Sequence, residues 1–80
     1  MQLQLIQGQF TAQDAQNIVA DMIRVKIRYH EAKIEAGAME EDIHMRERRI
    51  SELQDALHQL RQTLPQGNAV IQMEATVTLQ

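Results

Sequence analysis

The chain has no cysteine and no tryptophan, and only one phenylalanine, one tyrosine, one proline and three glycines in 80 residues. Without cysteine there is no disulfide staple and no thiolate zinc site. With so few aromatics, a core has to be built from Ile, Leu, Val, Met and Ala. Positive charge is scarce too: the formal net charge is −3, which argues against a nucleic-acid binder, since phosphate contacts need a basic surface. No apolar run approaches the ~20 residues of a membrane span. The opening MQLQLIQGQF has neither the basic nor the apolar region of a signal peptide. A soluble cytoplasmic protein is therefore expected, and three dispersed histidines suggest no metal. A chain this short is marginal alone unless something staples it, and oligomerisation is the staple left.

What the chain does have is a stripe. Met39, Ile43, Ile50, Leu53, Leu57, Leu60 and Leu64 step by fours and threes, as in a helix that buries a narrow seam against another helix. Arg46 occupies the one seam position that is not apolar. A polar residue there breaks a local rule, and such breaks tend to mark function.

In chain order, residues 2–10 alternate, with Leu3 and Leu5 on one parity and Ile6 and Phe10 on the other. The parity change predicts a strand with a bulge. Thr11-Ala12-Gln13-Asp14 reads as a helix cap, opening a helix over 11–36. That helix carries two apolar rows. One is Ala15, Ile18, Met22, Val25, Tyr29, Ala32 and Ala36, and the other is Val19, Ile23, Ile27 and Ile34. One row can meet a second helix and the other a sheet or a partner chain. Tyr29 is expected in the core.

Gly37 interrupts the pattern, with Glu40, Glu41 and Asp42 suited to the next helix start. A second helix is predicted over 39–64, ended by Pro65 and Gly67. One continuous helix through Gly37 is the rival, since glycine costs only ~1 kcal/mol in a helix. It would hold the terminal strands ~80 Å apart, so the hairpin is preferred. Residues 69–79 alternate cleanly, with Ile71, Met73, Ala75, Val77 and Leu79 on one face.

The expected fold is α+β, a single β-α-α-β unit in which a helical hairpin is flanked by two antiparallel strands. Two strands alone are marginal and have open edges. Val19, Ile23, Ile27, Ile34, Ile71, Met73 and Val77 are the candidate oligomer interface, in a homo-oligomer of two copies or more.

Several charged positions carry a resemblance. Phe10-Thr11 with Asp14-Ala15, Lys26-Ile27 with His30-Glu31 and Lys33-Ile34, and Glu41-Asp42-Ile43 with Met45-Arg46-Glu47 and Arg49-Ile50 resemble a set of small uncharacterised bacterial proteins with a strand, a helical hairpin and a trailing segment. The likeness covers about the middle half of the chain, and Ala36-Gly37-Ala38 replaces the Ser-rich turn of that pattern. It brings no activity with it. It implies only that these charged positions matter beyond solubility.

In a hairpin turning near residue 38, positions summing to about 76 face each other. His30 then meets Arg46, with Lys26, Lys33 and Arg49 near. Such a cluster suits a small anion, nucleotide-like or phosphate, because arginine offers planar paired donors and lysine a point charge. The competing reading makes Arg46 a register device in the seam. His44 and His58 lie on the solvated side without ligand partners. No phosphate loop, nucleophile elbow or Ser/His/Asp order is present, so no enzyme and no cofactor are expected. Three functions follow: a non-enzymatic oligomeric interaction module, a binder that sequesters a small anionic ligand between chains, and, more weakly, a nucleic-acid-binding or antitoxin-type regulator.

Overall fold

The parity change at Leu5 and the glycine at 37 are the two points where the chain has to depart from a regular element, and both depart as their chemistry requires. In a computed structural model that describes residues 1–63 and 69–80, strand β1 is Gln2–Thr11, helix α1 Ala12–Glu35, helix α2 Glu40–Thr63 and strand β2 Val70–Thr78. The class is α+β in the expected order. The expected helix end at Leu64 and the stop at Pro65 and Gly67 lie outside the described residues.

β1 and β2 form an antiparallel two-stranded ribbon whose register shifts between Gln4 and Ile6. Leu5 is the extra residue. Phe10 pairs with Ile71, Gly8 with Met73, Ile6 with Ala75 and, beyond the shift, Leu3 with Val77. Since side chains alternate with period two, the inserted residue returns Leu3 to the face of Ile6 and Phe10. The ribbon closes at its far end through mutual bonds of 2.8 Å between Met1 and Leu79. It is tied to the helices at the near end by the Ala12 N–H donating to the Ala69 carbonyl at 2.7 Å.

Thr11 caps α1, its Oγ1 accepting from the Asp14 N–H at 3.1 Å. At the other end the Gly37 N–H donates to the Ile34 carbonyl at 3.2 Å, and Gly37 has φ +94°, a region glycine enters freely. The chain therefore turns back instead of continuing as one helix. Met39 gives α2 its first carbonyl acceptor, taken by the Ile43 N–H at 2.9 Å.

The helices pack against each other along half-buried rows, Ile23, Ile27, His30 and Ile34 on α1, and Ile43, Arg46, Ile50 and Leu53 on α2. On α2 the predicted stripe is half-buried from Ile43 to Leu60, but Met39, also placed in it, is corrected to an exposed position (81%) ahead of the helix, and Leu64 lies outside the described residues. On α1 it is the second row that shares a face with His30. The first row opens progressively to solvent away from the ribbon. Ala12 and Ala15 are 0% and 1% exposed, Met22 is 38%, and Val25 and Tyr29 are 55% and 54%. Tyr29, expected in the core, is thus corrected to an exposed position, because the ribbon that buries Ala12 and Ala15 does not extend over it.

Among the described residues, α1 is the helix whose backbone comes within 8 Å of the strands, Cα to Cα, and α2 stays farther off. Among the described residues the fully shielded core is Ala12, Ala15 and Ala20, with no large side chain fully buried. The molecule is a slab of 45 × 33 × 14 Å. No helix among the described residues is long and apolar enough to cross a membrane.

Candidate functional site

Two places carry more than packing. One is the polar break in the hairpin seam. The other is the space between ribbon and hairpin.

At the break, Arg46 reaches across from α2 to α1, its Nη1 3.0 Å from His30 Nδ1. A guanidinium can only donate, so Nδ1 accepts and the ring proton sits on Nε2. Tyr29 stands beside the pair. Its ring meets that of His30 edge-on at 5.3 Å between centroids and 66° between planes. The Arg46 Cζ and the Lys33 Nζ lie 5.6 and 5.7 Å from the Tyr29 centroid. Contacts of this kind contribute about 0.5–1 kcal/mol at exposed sites.

Arg46 Nε is buried and, among the described residues, has no hydrogen-bond partner. No carboxylate comes within 4.0 Å of Arg46 among the described residues, where the ion pairs are Arg24–Asp21, His44–Glu40 and Arg49–Glu52. Leaving such a donor unmet costs about 1–3 kcal/mol. The arrangement is a cation held in an apolar seam by an imidazole and an aromatic ring, with one N–H unused.

The structure thus brings together three of the five charged residues singled out from the sequence. His30 and Arg46 are in contact, and Lys33 joins them through Tyr29. Arg49 turns away to Glu52 at 3.4 Å on the exposed surface. Lys26 lies apart, at the groove described next. Tyr29 is the member that sequence reasoning missed. Its signal was its place four residues before Lys33 and next to His30, but the three-four stepping assigned it to the seam instead.

The groove holds about 380 Å³ between the ribbon and the hairpin. Ile6, Met73 and Ala75 form its ribbon side, with Val19, Met22 and Ile23 of α1 and Leu53 of α2 opposite. Among the described residues its charged lining is Lys26 and Glu74, and the rest of the lining is apolar. Of the candidate interface residues, Val19, Ile23 and Met73 line it. Ile27 and Ile34 lie on the seam face, and Ile71 and Val77 are half-buried on the ribbon. Among the described residues no group of three or more His, Asp and Glu side chains is placed to hold a metal.

Comparison with protein-family models, curated proteins and solved structures finds no match.

Proposed function

We propose that the protein is a non-catalytic assembly module, a small homo-oligomer whose core is completed between copies and which acts by binding rather than by chemistry. The observation that carries this is surface. A folded monomer of 9.2 kDa exposes about 4,900 Å² by the usual scaling, whereas this chain exposes 6164 Å². The excess, about 1,200 Å², exceeds the ~800 Å² each partner buries in an ordinary stable interface. The radius of gyration agrees in direction, 15.2 Å against about 11.6 Å for a compact chain of this length. Apolar side chains are among what is exposed, including Met22, Val25 and Tyr29 on the outer row of α1 and Leu3, Leu5 and Val70 on the ribbon. Exposed apolar surface of that extent marks an interaction site.

The test is native mass spectrometry of the full chain as purified. A multimer is expected, and a monomer at tens of micromolar would overturn the reading.

A second reading is favoured by the unused Arg46 Nε and the absence of a carboxylate beside it: the assembly holds a small anion at the Arg46–His30–Lys33 cluster. Here the multimer carries a discrete added mass that is lost in Arg46→Ala. A multimer of bare chains, together with no chemical-shift change at His30 on adding inorganic phosphate, would dispose of it.

A further inference from the structure

We propose that two copies join along the free edge of β1, antiparallel about a twofold axis perpendicular to the sheet. The product is one four-stranded sheet with the strand order β2-β1-β1-β2 and both hairpins on the same face. The proposal rests on the assembly reading above and adds the surface and symmetry of the contact.

The two free edges of the ribbon differ. β1 runs ten residues, QLQLIQGQFT, without a charge or a proline. β2 runs nine, VIQMEATVT, with Glu74 at its centre. Charges and prolines are how edges are kept from pairing. β1 has only its bulge, and that lies near one end, leaving Ile6–Thr11 paired in unbroken register. An uncharged, long edge beside a ribbon too small to be stable alone is a template for a further strand.

The faces decide the axis. The ribbon gathers most of its apolar residues on one side, Leu3, Ile6 and Phe10 on β1 and Ile71, Met73 and Val77 on β2, with Val70 on the other. A twofold perpendicular to the sheet leaves both apolar sides on the same face. That face then doubles in width under the two hairpins. Over the whole chain, the exposed surface exceeds a monomer's expected value by about 1,200 Å², more than the ~800 Å² a partner buries in a standard interface.

The symmetry has a consequence that can be measured. Residues opposite each other in an antiparallel pair point to the same side of the sheet. With a twofold perpendicular to the sheet, pairing a residue with its sequence neighbour in the other copy would put the two on opposite sides. One residue of β1 must therefore pair with itself. The native chain has no cysteine, so single cysteines placed in turn from Leu3 to Phe10 report this directly. Cα separations across such a pair, about 4.5–5.5 Å, fall within disulfide reach.

The experiment reads native mass first and disulfide yield under mild oxidation second. A dimer whose cross-linking peaks at one position of β1, with cysteines at Gln72, Glu74 and Thr76 giving none, is the expected result. A dimer that cross-links along β2, or along neither strand, overturns the edge geometry while leaving assembly standing. A native monomer overturns both. Should cysteine variants fold poorly, Gln7→Lys with Gln9→Lys brings like charges together at the seam. The dimer dissociation constant should then rise at least tenfold, whereas Gln72→Lys on the outer strand leaves it unchanged. Equal effects from the two would reject the β1 edge.

Discussion

Arg46 shows how far one residue can be read from spacing. Its seam position follows from Ile43 and Ile50 on either side, and its partner His30 from the hairpin sum, and the 3.0 Å contact places them together. What spacing could not supply is that the arginine finds no carboxylate. That depends on side-chain reach among Glu31, Glu35, Asp42 and Glu47, all exposed. The energetics then favour replacement. Arg46→Met removes an unmet donor that costs about 1–3 kcal/mol and fills the seam with apolar volume. The urea midpoint should rise or hold at fixed protein concentration, and an unfolding free energy lowered by more than about 1 kcal/mol would mean the guanidinium is stabilising. His30→Ala should cost about 1 kcal/mol in the native chain and less in Arg46→Met. A double-mutant cycle with no coupling would show that the contact contributes nothing. Tyr29 was misread for a physical reason: an apolar row at helical spacing says that a face is apolar, not that a neighbour is long enough to cover it.

At the scale of elements, turns and irregularities carried the most information. The parity change in LQLIQGQF foretold the bulge at Leu5, and deleting Leu5 should leave a regular ladder in which Leu3 still faces Val77 on the apolar side. A retained cooperative thermal transition is expected for that deletion, and its loss would mean that the bulge itself is needed for the sheet. Gly37 is simpler. A Cβ there would meet nothing within 4 Å, so crowding is not the issue, but φ is +94°. Gly37→Ala should therefore cost about 1 kcal/mol, through strain that outweighs the entropy it saves in the unfolded chain. Were Gly37→Ala instead to stabilise, a continuous helix through the turn would again be a contender. The α1 rows were harder, because both are apolar and only the three-dimensional course decides between them. The ribbon meets α1 at Ala12 and Ala15, small residues that permit close approach, and the hairpin turn sends the other row toward α2.

At the scale of the whole molecule, element order and strand pairing were legible because a helical hairpin returns the chain to its start, leaving the terminal strands little choice but to pair. The open groove was not legible, because the angle between ribbon and hairpin depends on contacts that no periodicity encodes. That angle leaves the outer row of α1 bare, and it sets the last prediction. Val25 is 55% exposed and does not share the face of His30. In a solitary chain Val25→Glu would change stability by no more than about 0.5 kcal/mol. If the row is covered between copies, the same substitution buries a charge in the interface and dissociates the assembly, while Ile27→Glu, in the hairpin seam, unfolds the chain itself. Melting separates these cases, since a midpoint tied to association falls on dilution. The native protein should melt lower at about 1 μM than at about 100 μM. Val25→Glu should melt at the lower temperature at both concentrations and retain its helical circular dichroism below it. A native midpoint that does not move with concentration, matched by an unaltered Val25→Glu, would mean that the bare row of α1 faces only water.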